Sequence, residues 1–559
     1  MQDMELKFMT PTEVWEGFNP TQAPLESSII SSTSDGNFVC SKQFFTADTT
    51  QSGKLRAYCE VYFDKRWADA RAAILILPPL SVPNSRDFVR KLVAEGYVAC
   101  LLDYAGTFSD ENLHTTFPDE YAFARYPEAE KNMLRIETTA RHTPWYVWSL
   151  IAKRAITMLQ EHKLVDNTHI GILGISAGAQ IALQVAGTDS RTKALVAING
   201  NGYLWASGKP RFTSTNIPSD DEERAFSTGV GAETYSRFIT CPTLLIALAE
   251  STYNDIDRVG DVLSGIKSHS KQLIISNGIE QITSQEFEAM LTWLRANFAL
   301  SGSEPITPTI EFESHDGELY VRTNSKKAVT KRTLYTCYGE PFPYDRYWKQ
   351  TTELQKVGTH EYTAHIPVIN DKELIVAYAT FEYSGGNIVS TPVIGVVPST
   401  LDVKPDDNPL DVYSSRIIYD GSMGLGNFMA KTRNVILEEG TLYQHEGPFG
   451  IKGITAKEGD IVLYRSAHEI AELTRSTTLH FDAYSPEERY LDVVMTTFPG
   501  FKKYVATAHL KGGDFWQKIL LESADFKSDE GRTLPKFSDT KCFYILDVKG
   551  VVFNNFLWI

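Results

Sequence analysis

Apolar and polar residues follow two different periods along residues 73–300. Short runs that are almost entirely apolar predict buried parallel strands, and the stretches between them repeat their apolar residues at helical spacing. The predicted strands cover residues 73–77, 98–103, 169–174, 194–199, 243–249 and 272–276. The predicted helices cover residues 85–95, 145–162, 177–186, 257–266 and 284–298. This order predicts an α/β domain with a mostly parallel sheet flanked by helices.

The helical period disappears after residue 309, and short alternating runs with turn residues replace it. Two segments rich in Ser and Pro act as linkers. The segment 301–309 separates the α/β part from the all-β part, and the segment 397–409 divides the all-β part into two. We therefore predict a multidomain chain with an α/β domain over 1–300, in which 1–72 are lead-in strands. An immunoglobulin-like β-sandwich over 301–399 and a jelly roll over 400–559 follow it, so two all-β sandwich domains are expected.

The charge balance narrows the classes of partner. The 559 residues include 54 Lys and Arg against 70 Asp and Glu, a formal net charge of −16. Such a chain repels phosphate backbones and anionic lipid, so we expect neither a nucleic-acid partner nor a membrane partner. The first residues form no apolar signal segment, and no run of eighteen apolar residues follows, which favours a cytoplasmic location. Six widely spaced cysteines predict free thiols, and neither a metal nor a cofactor is expected.

One pentapeptide carries the candidate chemistry. Residues 174–178 read Gly-Ile-Ser-Ala-Gly, between an apolar strand and a helix of small residues. In a G-x-S-x-G turn of this kind the serine occupies a strained strand-to-helix position and its hydroxyl stands above the sheet. Ser176 is thus the candidate nucleophile. The N–H of Ala177 is one expected oxyanion donor, and the N–H of Leu80 or Ser81 after the first long strand is the other.

The residues around this turn resemble those of the α/β-hydrolase superfamily. The similar stretches are ISAGAQIALQVA, the preceding TPWYVWSLIAKRAITML, and CPTLLIALAE. Within the superfamily they resemble the acetylxylan-esterase-like and dienelactone-hydrolase-like branch. The resemblance implies a serine hydrolase with a triad in the chain order Ser, acid, His. It also implies that the acid follows the strand at 243–249, where Glu250 and Asp255 are the candidates and Asp257 is expected to cap the next helix.

The histidine that the resemblance implies is absent. It should lie in the loop after the strand at 272–276, but residues 277–282 contain none. His269 precedes that strand and is expected at the opposite end of the sheet. His142 and His114, in the long connection after the second strand, are substitute candidates for the base, and Glu280 is another if burial raises its pKa.

The C-terminal β region offers weaker signals. The ending GVVFNNFLWI, with FWQKILLESADF before it, resembles galactose-binding-type jelly-roll carbohydrate modules. Aromatic residues that could stack on sugar rings include Trp348, Tyr443 and Trp516. Most aromatics at alternating spacing belong to a sandwich core, however, and Arg346 and Trp348 are expected to pack against the α/β domain.

Two main hypotheses remain open at this point. The first is a carboxylesterase or deacetylase that acts on an acylated carbohydrate or another small ester, with Ser176 as the nucleophile. The alternative is a catalytically degenerate hydrolase-fold protein, without its base, that serves as a carbohydrate-binding or scaffold protein. A third hypothesis assigns carbohydrate binding to the jelly roll alone. The oligomeric state is not predicted.

Overall fold

The protein is described here from a computed structural model. It describes residues 6–80, 86–108, 112–206, 208–213, 218–251, 254–276, 281–298, 306–346, 348–407, 416–434, 436–463, 473–497 and 502–559.

Nine strands of the N-terminal part form one sheet: β1 (Ser28–Asp35), β2 (Phe38–Thr49), β3 (Lys54–Asp64), β4 (Arg71–Leu77), β5 (Val98–Asp103), β6 (Val165–Ile175), β7 (Thr192–Ile198), β8 (Thr243–Leu248) and β9 (Lys271–Ser276). Their order across the sheet is β1-β2-β3-β5-β4-β6-β7-β8-β9. The strands β1, β2, β3 and β5 pair antiparallel, and the run from β5 through β4 to β9 is parallel. The predicted mostly parallel sheet is confirmed.

Helices cover both faces of this sheet: α1 (Pro11–Trp15), α2 (Arg86–Ala94), α3 (Pro144–Glu161), α4 (Ala177–Thr188), α5 (Asp221–Gly229), α6 (Ala232–Tyr235), α7 (Val259–Gly265) and α8 (Ser284–Phe298). One face buries α3 and α4 in a large apolar cluster, and the other face buries α2 and α8. Because the parallel strands are covered on both sides, their side chains are almost all buried, as their continuous apolar runs predict.

The lead-in segment differs in part from its prediction. It contains the short helix α1 as well as strands, and β1, β2 and β3 extend the main sheet. In β2 buried and partly exposed residues alternate over much of the strand. One face of the strand packs against α3, and the other face is partly open. Period-two patterns of this kind mark antiparallel strands and explain why the first strands do not read as continuous apolar runs.

Two antiparallel sheets follow the α/β part. Their strands are β11 (Thr309–His315), β12 (Glu318–Asn324), β13 (Lys331–Tyr338), β14 (Lys349–Thr351), β15 (Gln355–Lys356), β16 (Glu361–Ile366), β17 (Ile375–Glu382), β18 (Ile388–Ser390) and β19 (Ile394–Val396), after the short β10 (Ile282–Thr283) of the α/β part. One sheet has the order β11-β12-β16-β15 and the other β14-β13-β17-β18, with β19 on β17. Residues of both sheets share one core, so they form a sandwich, named the first sandwich below.

The remaining strands build a second sandwich: β20 (Ile417–Tyr419), β21 (Met429–Lys431), β22 (Ile436–Leu437), β23 (Leu442–Glu446), β24 (Lys452–Ala456), β25 (Asp460–Leu463), β26 (Thr478–Tyr484), β27 (Arg489–Thr497), β28 (Lys503–Leu510), β29 (Gln517–Glu522), β30 (Thr540–Ile545) and β31 (Val552–Trp558). Its sheets run β23-β24-β31-β26-β29 and β21-β25-β30-β27-β28, and they enclose a single apolar core. The predicted succession of an α/β part and several antiparallel sheets is confirmed.

Both sandwiches contact the α/β part near its last strands. The hydroxyl of Ser390 accepts the N–H of Ile275 at 2.8 Å, so the first sandwich covers the edge strand β9. β10 pairs in parallel with β22 of the second sandwich. These contacts place all-β elements beside the carboxyl ends of β8 and β9, where the sequence predicts the acid and the histidine of a triad.

Candidate active site

The strand-to-helix turn at Ser176 has the predicted geometry. β6 ends at Ile175, α4 begins at Ala177, and Ser176 between them has φ 55° and ψ −117°. A residue with a side chain held there stores on the order of 1–3 kcal/mol of strain, which persists only where the surroundings impose it. The glycines of the motif impose it here, because a Cβ on Gly178 would overlap the carbonyl of Leu77 in the neighbouring strand.

The backbone of Ser176 is fixed and its hydroxyl is not. Its N–H donates to the carbonyl of Ile198 at 2.8 Å, and its own carbonyl accepts the N–H of Ala179 at 3.0 Å. The residue is half-buried. Across the described ranges, no side chain or backbone group hydrogen-bonds the Oγ of Ser176. The turn therefore presents a hydroxyl to which no described imidazole or carboxylate is hydrogen-bonded.

The two expected oxyanion donors lie at the same edge of the sheet. Ala177 is the first residue of the twelve-residue helix α4, and within the described part of the chain its N–H has no backbone acceptor. Leu77 pairs with Gly174, so Leu80, three residues further along, leaves the sheet beside the turn. Ser81 lies outside the described residues. Both N–H groups are suited to a developing anion near a helix N-terminus, and their role stays a prediction.

The acid candidates have other partners. Asp255 forms an ion pair with Arg258, and both side chains are largely buried. Burial raises the pKa of Asp255, and the nearby Asp257 adds to that rise. Asp257 does not cap α7, which begins at Val259 after Arg258, so that expectation is wrong. Asp257 instead pairs with Arg346 of the first sandwich, with both side chains fully buried.

Glu250 directly follows β8 and the adjoining Ala249, as predicted, and is only 8% exposed. Its charge acts on groups of both sandwiches. Burial raises the pKa of the Tyr378 hydroxyl and of the Cys542 thiol, and Glu250 contributes to both shifts. The carboxylate thus lies at the junction of the three parts of the chain.

The substitute histidines do not meet the serine. His142 is exposed, and its ring lies against that of Phe123 with centroids 4.2 Å apart. His114 lies near the buried Asp103. Burial raises the pKa of Asp103 to about 6, and the charge of His114 opposes part of this rise. Among the described residues neither ring is hydrogen-bonded to Ser176. His269 is exposed and precedes β9, at the opposite end of the sheet as expected.

Glu280, the remaining substitute base, lies outside the described residues. The sequence of the loop that should hold the histidine, residues 277–282, contains no histidine.

The sequence interpretation missed a polar segment that follows β7. Asn199 and Tyr203 have φ values of 54° and 57°, so the sheet edge holds further strained residues beside Ser176. The amide of Asn201, 1% exposed, donates to Asn254, whose own amide donates to the carbonyl of Leu248 at 3.3 Å. The sequence signal for this segment is the repeated Asn-Gly pair that directly follows an apolar strand.

Beside this segment lies a narrow pocket between the α/β part and the first sandwich. Aromatic and polar side chains share its lining, which includes Tyr203, Lys209, Ser251, Asn254, Phe342 and Tyr344.

Over the described ranges, no group of three or more His, Cys, Asp or Glu side chains is placed to hold a metal ion. In the same ranges no helix has the length and apolarity needed to span a membrane. The turn and the pocket together offer a serine hydroxyl, backbone N–H groups, the amide of Asn254 and the charged side chains of Lys209 and Asp255.

Comparison with known proteins supports the fold. The family model described as BAAT / Acyl-CoA thioester hydrolase C terminal matches residues 153–217, which include the Ser176 turn. No curated protein matches the chain. The sheet order and the strand–turn–helix at Ser176 give the N-terminal part an α/β-hydrolase-like fold.

Several solved structures are similar at low identity. Acetyl xylan esterase 1 from Thermoanaerobacterium sp. JW/SL YS485 is 15% identical over 49% of this chain and 88% of that chain, with a TM-score of 0.38. The acetyl xylan esterase from Paenibacillus sp. R4 is 15% identical over 52% and 96%, with a TM-score of 0.41. The glucuronoyl esterase from Solibacter usitatus is 14% identical over 52% and 91%, with a TM-score of 0.36.

Proposed function

We propose that this chain is a degenerate serine hydrolase that binds a small or carbohydrate ester and hydrolyses it slowly or not at all. The observation that supports this most directly is the Ser176 hydroxyl, to which no imidazole or carboxylate of the described residues is hydrogen-bonded. The ligand class follows from the resemblance of the motif to acetylxylan-esterase-like proteins.

The chemical consequence of a missing base is large. A serine hydroxyl is a weak nucleophile at neutral pH unless a neighbouring base removes its proton. Where a triad member is removed from a serine protease, roughly 10³–10⁴-fold acceleration over water remains, from the oxyanion donors and from binding. Ala177 and Leu80 supply the expected donors here, so we expect residual turnover at most.

The carboxylates near the turn do not replace the base in this proposal. Asp255 and Asp257 are each paired with an arginine, and Glu250 lies toward the two sandwiches. Each of these two aspartates already accepts from a guanidinium in its own ion pair, and Asp255, whose pKa burial raises, makes no hydrogen bond to the Ser176 hydroxyl within the described residues. The acid loop therefore has a structural role in this account.

One observation favours a second candidate, an active carboxylesterase or deacetylase for acylated carbohydrate with Ser176 as nucleophile. The strained φ of Ser176 and the packing of the motif glycines are retained, and the residue is half-exposed. A turn kept in this state is typical of a working nucleophile.

Hydrolysis of p-nitrophenyl acetate and of acetylated xylo-oligosaccharide by the full chain separates the two candidates. The matched variants are Ser176→Ala and Ser190→Ala, which changes an exposed serine beyond the other end of α4. Degeneracy predicts that all three proteins hydrolyse both esters at nearly the same low rate. A rate that falls by about 10³-fold or more in Ser176→Ala alone, the size of a lost triad member, supports the active esterase.

A further inference from the structure

The narrow pocket between the α/β part and the first sandwich begins close to the Ser176 turn. A Cβ on Gly200 would lie 2.4 Å from the carbonyl oxygen of Ser176, so Gly200 packs directly on the turn. Gly202, two residues further along the chain, lines the pocket. Two residues of chain span at most about 7 Å, so the alcohol part of an ester held at Ser176 is within reach of the pocket.

The α/β part supplies one fixed wall of the pocket. Tyr203 has a φ of 57°, and the carboxylate of Glu233 accepts its N–H at 2.8 Å and the indole N–H of Trp205 at 2.7 Å. A Cβ on Gly202 would overlap Glu233, so this segment lies tightly against the carboxylate. Backbone strain of this kind persists only where the surroundings impose it, and it is concentrated at ligand sites. This wall therefore has its shape before a ligand binds.

The first sandwich supplies a second wall. Phe342 and Tyr344 line the pocket on either side of Pro343, and their rings stack with centroids 5.8 Å apart. The chain that follows anchors them, because the N–H of Arg346 donates to the carbonyl of Pro343 at 3.4 Å and its guanidinium pairs with Asp257 of the α/β part. Both walls are thus held in place, and a preformed pocket of this kind selects its ligands by size and shape.

The charged side chains of the lining are already neutralised. Lys209 is paired with Glu223, and Asp255 is paired with Arg258. A charge on the ligand would lose its hydration in the pocket and would meet no unpaired counter-charge among the described lining residues. The pocket therefore favours an uncharged ligand.

Buried amides supply the polar contacts. The side-chain nitrogen of Asn254, which lines the pocket, carries two N–H groups, and within the described ranges it makes one hydrogen bond, to the carbonyl of Leu248 at 3.3 Å. Asn201 donates to Asn254 and is 1% exposed, and its Oδ1 accepts no hydrogen bond from the described residues. Amide groups in this state are suited to bind the oxygen atoms of an uncharged ester or alcohol.

We infer that the first sandwich sets the size of the ligand at the Ser176 site, and that the pocket takes the alcohol part of a small, uncharged ester and excludes a polysaccharide chain. This inference rests on the proposed function, because it assigns a ligand class to the same site. Aromatic rings from two parts of the chain contact the alcohol part, and Asn254 binds its oxygen. Phe342 and Tyr344 limit its length.

Ligand binding to the full chain carrying Ser176→Ala tests this inference, since that variant does not consume the ester through Ser176. Saturation-transfer NMR titrations compare phenyl acetate, 1-naphthyl acetate and acetylated xylohexaose, and we expect phenyl acetate to bind most tightly. Adding Phe342→Ala should weaken the binding of phenyl acetate about three- to tenfold and improve that of 1-naphthyl acetate, because the removed ring both stacks on the ligand and limits its length. Phe449→Ala, on an 89% exposed ring of the second sandwich, is the matched control and should change neither affinity.

A second comparison needs no change in the wall. 4-Acetoxybenzoate has the shape of phenyl acetate and adds a carboxylate, so it should bind at least about tenfold more weakly. Tighter binding of acetylated xylohexaose than of phenyl acetate, equal affinities for the neutral and the charged ester, or equal effects of Phe342→Ala and Phe449→Ala would overturn the inference. These outcomes are distinct from failure of the proposed function, which fast Ser176-dependent hydrolysis would contradict without any change in binding.

Discussion

Asp257 and Arg346 form a fully buried ion pair that joins the loop after β8 to the first sandwich. Their side chains are 0% exposed, and Nη2 of Arg346 lies 2.7 Å from Oδ2 of Asp257. The same guanidinium donates to the carbonyls of Glu340 and Pro341. A carboxylate close to the place where a triad acid is expected thus holds two parts of the chain together.

Arg346→Ala is expected to destabilise the protein strongly. Removal of one partner leaves the carboxylate of Asp257 buried without a counter-charge, which typically costs about 3–5 kcal/mol. Urea unfolding followed by tryptophan fluorescence measures the change in the free energy of unfolding. The relevant transition is the one that reports the α/β part and the first sandwich.

Arg224→Ala is the control for this prediction. Arg224 pairs with Asp221 at the surface, where an ion pair contributes about 0–1 kcal/mol. An Arg346→Ala loss no larger than that of Arg224→Ala would show that the buried pair does not stabilise the junction. The double variant Asp257→Asn/Arg346→Met should recover part of the loss, because no lone buried charge remains.

Gly178→Ala is expected to disrupt the turn that holds Ser176. Its added methyl group would overlap the backbone of Leu77, which cannot move without shifting β4. Overpacking in a core costs about 1–3 kcal/mol, and we expect a value at or above the upper end here. Thermal unfolding followed by circular dichroism measures it.

Gly171→Ala, in the strand β6 that leads into the turn, is the matched control. Its methyl group would lie 3.2 Å from the ring of Phe298, the end of a side chain that can adjust. Equal stability of the two variants would contradict the steric account of the motif.

Asp103 predicts a pH dependence of stability. It is 0% exposed, it accepts the N–H groups of Thr107 and Thr115 at 2.9 and 2.8 Å, and burial raises its pKa to about 6. An unfolded aspartate titrates near about 3.9, so between about pH 4 and pH 6 the folded state holds a proton that the unfolded state has lost. The stability from Asp103 is therefore complete below about pH 4 and is lost as the pH rises through 6.

Asp103→Asn is the reference that isolates this effect, because its side chain does not titrate. Relative to this variant, the free energy of unfolding of the natural protein should fall by roughly 3 kcal/mol between about pH 4 and pH 7. Urea midpoints at intervals of one pH unit measure the difference. A constant difference across this range would rule out the raised pKa.

The sequence predicts much of the α/β part, because its signals are local. The helix Ser284–Phe298 and the strand Val98–Asp103 agree with their predicted bounds, since apolar periodicity fixes them. The Ser176 turn is also local: two glycines, a preceding strand and a following helix set its sterics. The lead-in helix α1 is missed because it has only five residues.

The contacts between the parts of the chain could not be predicted in detail. Asp257 and Arg346 are 89 positions apart, and no local pattern links them, although the sequence predicts that Arg346 packs against the α/β part. From local pattern alone, the loop after β8 therefore predicts a triad acid and a helix cap. A pair of this kind becomes visible only when the sandwich is placed beside the sheet.

The pH profile of Ser176 phosphonylation, in which the serine oxygen bonds to phosphorus and fluoride leaves, tests the central claim most directly. A fluorophosphonate probe is added to the natural protein and to Ser176→Ala, and intact mass gives the Ser176-dependent rate. Without a histidine base this rate should be undetectable or should rise continuously with pH, with no inflection near about 6.5. A fast Ser176-dependent rate that levels off with an apparent pKa of about 6–7 would contradict the account.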